Sequence, residues 1–173
     1  MSILSRTLCT LLLLLLPLPG WSTEVPLFVI QRSKNANEVQ YHLRVDDHCQ
    51  ILGDEPVSAV WHLREERPET TKPLSAIDKL AYGVVQQHVE GNGVEFRLRA
   101  LEDKPLKATA TAQPGTGTCV ASVQVEIHAQ WAALERVYVQ TEEGRLRPKV
   151  TYIELFGTRV AGSPTPVRER ITP

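Results

Sequence analysis

The sequence predicts an all-β fold of antiparallel strands, and three observations carry that prediction. Val39, Tyr41, Leu43 and Val45 alternate with Gln40, His42 and Arg44, the period-two signature of a half-buried strand. Segments of this kind recur at short spacing almost to the end of the chain, while helix-period patterns are scarce. Connections of hairpin length separate them, and Glu90-Gly91-Asn92-Gly93 is the clearest, because Gly and Asn tolerate the positive φ angles such a turn requires. An antiparallel meandering barrel and a two-layer sandwich both fit. The barrel is expected, since consecutive hairpins dominate and closure removes exposed strand edges.

Taken in order, Leu27 to Arg32 is a short apolar run, and the alternation of Val39 to Val45 follows a polar corner, Arg32 to Glu38. Val57, Ala59, Trp61 and Leu63 continue the pattern. Leu74 to Tyr82 is the one expected helix: Ser75 caps it, Asp78 lies in its first turn and Gly83 stops it. Val84 to Val89 and Val94 to Leu101 flank the hairpin turn. Lys107 to Ala112, Cys119 to Ala129, Leu134 to Thr141 and Val150 to Phe156 complete about nine strands, with Gly144 marking another turn. The residues from Gly162 onward, rich in Pro and Ser, lack a strand or helix pattern and are expected to form a flexible tail.

Composition limits the class of protein. The chain has 173 residues, 42% of them hydrophobic and 23% charged, with a net charge of -1, and so lacks the basic excess that would draw it to nucleic acid or an anionic membrane surface. Arg6 precedes the apolar run Leu8 to Leu16, followed by Pro17, Pro19 and small residues up to Ser22. This predicts a signal peptide over residues 1–22 and a secreted or periplasmic product. The run is about half the ~20 residues that a membrane-spanning helix needs, so no stable span is expected after cleavage. One β domain over 23–161 and a tail over 162–173 remain.

Cys49 and Cys119 are the two cysteines of that domain, and in an oxidising compartment such a pair is expected to join. Two buried free thiols are the alternative. Two cysteines alone do not complete a zinc shell. Cys119 shares the parity of Val123, Val125 and Ile127, and Cys49 that of Tyr41 and Val45 if their strand runs on.

No catalytic or cofactor signature is present: no GxSxG elbow, HExxH, phosphate-cradling Gly-rich loop or CxxC pair. No catalytic residue, metal or cofactor is therefore assigned. The histidines, His42, His48, His62, His88 and His128, are scattered, and His48 beside Asp46 and Asp47 reads as a charged loop. Ser33 and Lys34 are neighbours on an extended chain and point in opposite directions, which argues against a nucleophile and its base. Glu154 alternates with Val150, Tyr152 and Phe156. If that face is the inner one, the carboxylate is buried and needs a partner such as Arg32 or Lys149; if Ile153 and Leu155 face inward, it is solvated.

The segments LFVIQRSKNANEVQY, KLAYGV, RVYVQTEE and PKVTYIELFGTRV resemble the bacterial DUF4833 domain proteins, from about Leu27 to Val160. That family is defined without an activity, and the cysteine pair departs from its pattern. The resemblance implies that Arg32, Asn35, Asn37, Lys149 and Glu154 form either a hydrogen-bond network tying the first strand to the last or a polar patch in a binding cavity. The leading expectation is an exported β-barrel holding a small apolar or amphipathic ligand. Arg32 and Lys149 would meet an anionic headgroup, and Trp61, Tyr82 and Tyr152 would line the wall. The alternatives are a structural or interaction protein of the cell envelope, and a hydrolase using Glu154 with a histidine or Tyr82.

Overall fold

The computed structural model describes residues 22–143 and 149–172. Nearly all of the expected signal peptide, and the turn expected at Gly144, lie outside them. Eleven strands and one helix follow in the order β1 (Thr23–Arg32), β2 (Glu38–Val45), β3 (Val57–His62), β4 (Thr71–Pro73), α1 (Ala76–Tyr82), β5 (Val84–Glu90), β6 (Gly93–Leu98), β7 (Leu101–Ala112), β8 (Cys119–Ile127), β9 (Gln130–Glu142), β10 (Lys149–Arg159) and β11 (Pro166–Ile171).

The strands run β4-β3-β2-β1-β9-β8-β7-β6-β5, with β10 on β9 and β11 on β10. Along one edge of β9, Gln130 to Ala133 pair with β8 and Arg136 to Val139 pair with β1, while β10 occupies the other edge. The sheet therefore forks at β9 into two arms, β1 to β4 and β5 to β8. The β1–β9 pairing is parallel, a departure from the purely antiparallel meander expected.

The arms fold face to face over one core. Ile30, Val39, Tyr41 and Leu43 of one arm and Phe96, Leu98 and Leu106 of the other are fully buried. The Cys49–Cys119 disulfide joins them at one end, and the Tyr41 hydroxyl donates to the Tyr82 carbonyl near the other. Between these, the Gln87 amide accepts from the Val57 N–H and donates to the Val57 carbonyl. A left-handed residue, Gln86 at φ 53°, sits in a register shift of β5 beside it.

The expected barrel is corrected by this arrangement. The sheet does not close, because β4 and β5 remain its ends, and the two-layer alternative is the nearer description. The expected flexible tail is corrected as well. Pro166 to Thr158 and Ile171 to Ile153 bound a regular antiparallel pairing of β11 with β10.

Local chemistry set the elements that were anticipated. Ser75 accepts from the Asp78 N–H while Asp78 accepts from the Ser75 N–H, a capping box that satisfies otherwise unpaired donors. Gly91, at φ 57°, opens the β5–β6 turn. The β8–β9 turn places His128 and Ala129 at φ 51° and 58°, a conformation that non-glycine residues adopt at a cost of about 1–2 kcal/mol each.

Candidate functional site

The polar run after β1 is first of all a corner. The Ser33 hydroxyl accepts from the Thr141 N–H at 3.0 Å. The buried Asn37 accepts from the Glu65 N–H and donates to the Glu66 carboxylate, pinning the segment after β3. Asn35 accepts from Arg32 at 2.8 Å.

Arg32 itself belongs to the inner side of the layer. Its guanidinium carbon lies 4.4 Å from the centroid of the buried Trp61 ring, close enough for a cation–π contact. Trp61 in turn meets Tyr82 edge to face, with centroids 5.5 Å apart. The Arg32 Nε is buried and has no hydrogen-bond partner among the described residues. Val139 stands opposite Arg32 in the β1–β9 register.

Both Tyr82 and Val139 line an open cleft of about 260 Å³ where the end of α1 meets β9 and β10. Leu80, Val150, Ile153 and Arg99 line it with them. Burial, then the neighbouring Tyr82, pushes the Tyr41 phenol up, so the hydroxyl that holds the Tyr82 carbonyl stays protonated.

The remaining sequence candidates are elsewhere. Tyr152, expected on the wall, and Glu154 alternate with the buried Ile153 and Leu155 and face outward. Lys149 is exposed at the start of β10, opposite Glu142. Glu154 is nevertheless buried, because Arg168 and Arg170 of β11 close over it. Its expected partners, Arg32 and Lys149, are thus corrected to two residues of the segment expected to be a loose tail.

Glu154 belongs to a row of residues that face one another directly across six strands: His62, Glu38, Gln31, Tyr138, Glu154 and Arg170. Beside it Arg136 lies 3.6 Å from the Phe156 centroid, and Arg170 covers Tyr152 at 4.1 Å. Such directly opposed pairs are the units that stabilise a sheet. Glu38 is buried in this row with His62, Gln40 and Arg64 around it; sequence reasoning did not single it out. Three of the four family-like segments are thereby adjacent strands, with β9 between β1 and β10.

Burial raises the carboxyls of Glu38, Glu154 and Glu169, but their hydrogen bonds and neighbouring cations outweigh it and leave all three below the usual glutamate value. For Glu154 the donors are Arg170 and Arg168; for Glu169 they are Lys104 and the His128 N–H. A depressed folded value means that the stabilisation is present above the unfolded value of 4.5 and lost as pH falls through the folded one. Hydrogen exchange is expected to show β11 amides losing protection as pH drops from about 5 to about 3, ahead of the buried strands β2 and β6. A Glu154→Gln variant should expose β11 already at neutral pH; unchanged protection would refute the role given to this carboxylate.

For acid–base chemistry the arrangement is unfavourable. Glu154 is held by arginines on the outer face while Tyr82 faces the cleft, so the two do not converge. The Asp46, Asp47 and His48 groups lie within 4.8 Å of one another, but Asp46 accepts from the His48 and Gln50 N–H groups, the chemistry of a turn. Burial lowers the His42 imidazole pKa, against the pull of Glu24.

No curated protein and no solved structure matches the chain. The family model described as a domain of unknown function, DUF4833, matches residues 28–170, a span containing both the inner cleft and the outer six-strand row. The chain belongs to the DUF4833 family.

Proposed function

We propose that this is an exported binding module for a small amphipathic anion, whose apolar part enters the cleft beside α1 and whose charged end meets Arg32. The observation that carries this reading is the Arg32 guanidinium, stacked on Trp61, whose ring meets the cleft residue Tyr82, with the Arg32 Nε buried and lacking an acceptor among the described residues. A buried donor without a partner loses the hydration it had in the unfolded chain, and an incoming carboxylate would restore it. Apolar walls with a few polar anchors suit small-molecule sites, and a cleft of about 260 Å³ limits the guest to a short chain. The disulfide supports the location, since such bonds persist in oxidising compartments. No helix among the described residues is long and apolar enough to cross a membrane.

Octanoate is the probe for calorimetric titration. Binding is expected, weakened about tenfold in Arg32→Gln, which corresponds to one charge-assisted hydrogen bond. Octanol should bind more weakly than octanoate. No heat of binding, or equal affinity for acid and alcohol, would sink the proposal. A second reading, an interaction protein of the cell envelope, is favoured by the exposed Ile77 and Leu80 of α1.

A further inference from the structure

We propose that the groove between β3 and β5 is a strand-addition site, which takes an extended, uncharged peptide segment of a partner protein between the two unpaired strand edges that face each other there. This goes beyond the ligand reading and does not rest on it.

The sheet stays open between its ends, and the register tells which backbone groups are left over. The Arg44 N–H donates to the Pro56 carbonyl, so Pro56, Ser58 and Val60 turn their backbone polar groups toward β2. Successive residues of an antiparallel strand serve opposite edges. Val57 and Ala59 therefore point away from β2, on the side where β4 pairs only with Val60 to His62. At the start of β5 the Gly83 carbonyl accepts from the Arg99 N–H, which turns Gly83 and Val85 toward β6 and Val84 away from it. β5 pairs with β6 alone. Ser58, Ala59, Val84 and Val85 all line one open groove of about 410 Å³. The N–H and C=O of Ala59 and of Val84 thus face this groove from its two walls, with no strand alongside among the described residues.

Gln87 shows which chemistry the gap accepts. Its side-chain amide reaches across from β5, accepts from the Val57 N–H at 2.8 Å and donates to the Val57 carbonyl at 3.0 Å. These are the two bonds that an adjoining strand would make. The left-handed Gln86 sets it there by adding one residue to β5 against β6. Two residues along β3 the same edge continues at Ala59 without such a bridge. The charges of the groove select no ion, because the exposed Glu55 balances Lys79 and Arg99 is paired with Glu102. Leu74 and Leu80 line it as well. The groove therefore suits a guest that brings backbone hydrogen bonds and short side chains without charge, and extended peptides add to exposed strand edges in this way. With an edge on each side, both rows of the guest's backbone groups find partners.

The probe is a capped pentapeptide of alternating serine and valine, titrated into the disulfide-bonded protein while amide exchange is followed residue by residue. Binding is expected, with exchange at Ala59 and Val84 slowed at least about tenfold at saturation, and with Val57, already bonded to Gln87, little changed. The same peptide N-methylated at alternate amides lacks one row of donors and should bind at least about tenfold more weakly to the unaltered protein. Val84→Pro, folded by its circular dichroism, should weaken the unmethylated peptide in the same way, since it removes a donor from the groove wall. The residue before it, Gly83, already has the extended ψ of 146° that proline favours in its predecessor. No binding at millimolar peptide, equal affinity for the two peptides, or binding that leaves Ala59 and Val84 unprotected would each overturn strand addition. A dimer of the free protein that protects the same two amides would overturn the partner peptide too, because a second copy would then fill the groove.

Discussion

Replacing Cys49 and Cys119 together by serine is expected to lower the unfolding free energy by about 4 kcal/mol on the chain-entropy account of a loop this long. The two residues are 70 apart in sequence, and the bond joins the segment after β2 to the first residue of β8, that is, one arm of the forked sheet to the other. Cys49 is buried and held at φ 60°, a left-handed conformation that a cysteine adopts only under constraint. The bond lies at the end of β2 away from Arg32 and α1. Urea unfolding of the variant beside the oxidised parent measures the effect, and octanoate affinity of the folded variant should be unchanged. A loss below about 1 kcal/mol, small against the typical range, would mean that packing alone holds the arms together.

Gly157→Ala should cost about 3 kcal/mol, at the upper end of what overpacking does. A Cβ at Gly157 would lie 2.3 Å from the Ala133 carbonyl oxygen and 3.2 Å from its carbon. These are backbone atoms of the neighbouring strand and cannot rotate away. The position falls at the register shift between Phe156 and Gly157, where β10 draws against β9. Glycine is required here for close approach, not for its dihedral freedom. Gly115 gives the contrast: at φ 86° it has open space around it, so Gly115→Ala should cost only the left-handed penalty of about 1 kcal/mol. Equal losses in the two variants, read from thermal or urea unfolding, would refute the steric account.

Acidification, by contrast, should act first on one element. β11 holds Glu154 through Arg168 and Arg170, and Glu169 holds Lys104 and the His128 N–H. The C-terminal strand is thus fastened by charge pairs in addition to its ladder with β10 and the packing of Val167 and Ile171, and protonating the two glutamates loosens it while the apolar core persists.

The parts of the fold that could be read in the sequence are those whose cause is local. Ser75 announced the helix cap, Gly91 the β5–β6 turn, and the alternation of Val39 to Val45 the buried face of β2. The cysteine pair was expected to join and does, but the parity argued for Cys49 does not apply, since β2 ends at Val45 and Cys49 lies beyond it. The β8–β9 turn escaped notice because His128 and Ala129, in place of Gly or Asn, carry the positive φ angles. β11 escaped because Arg168, Glu169 and Arg170 interrupt any apolar alternation; Val167 and Ile171 pack against the core only once β10 supplies the edge.

Of the site, the sequence placed Arg32, Trp61 and Tyr82 around one expected ligand, and their side chains do meet in succession. It also placed Tyr152 with them, although the pleat turns that residue outward with Glu154. The sequence by itself determined the all-β class, the helix and its cap and the corner after β1, because each depends on dihedral preference or on neighbours a few residues away; the two cysteines, 70 residues apart, it could offer only as a pair. Only the tertiary structure decided the parallel β1–β9 pairing, the fork at β9, the arginines over Glu154 and the cleft beside Arg32. These depend on which distant strand edge a segment meets, and period-two alternation is the same whichever partner lies alongside.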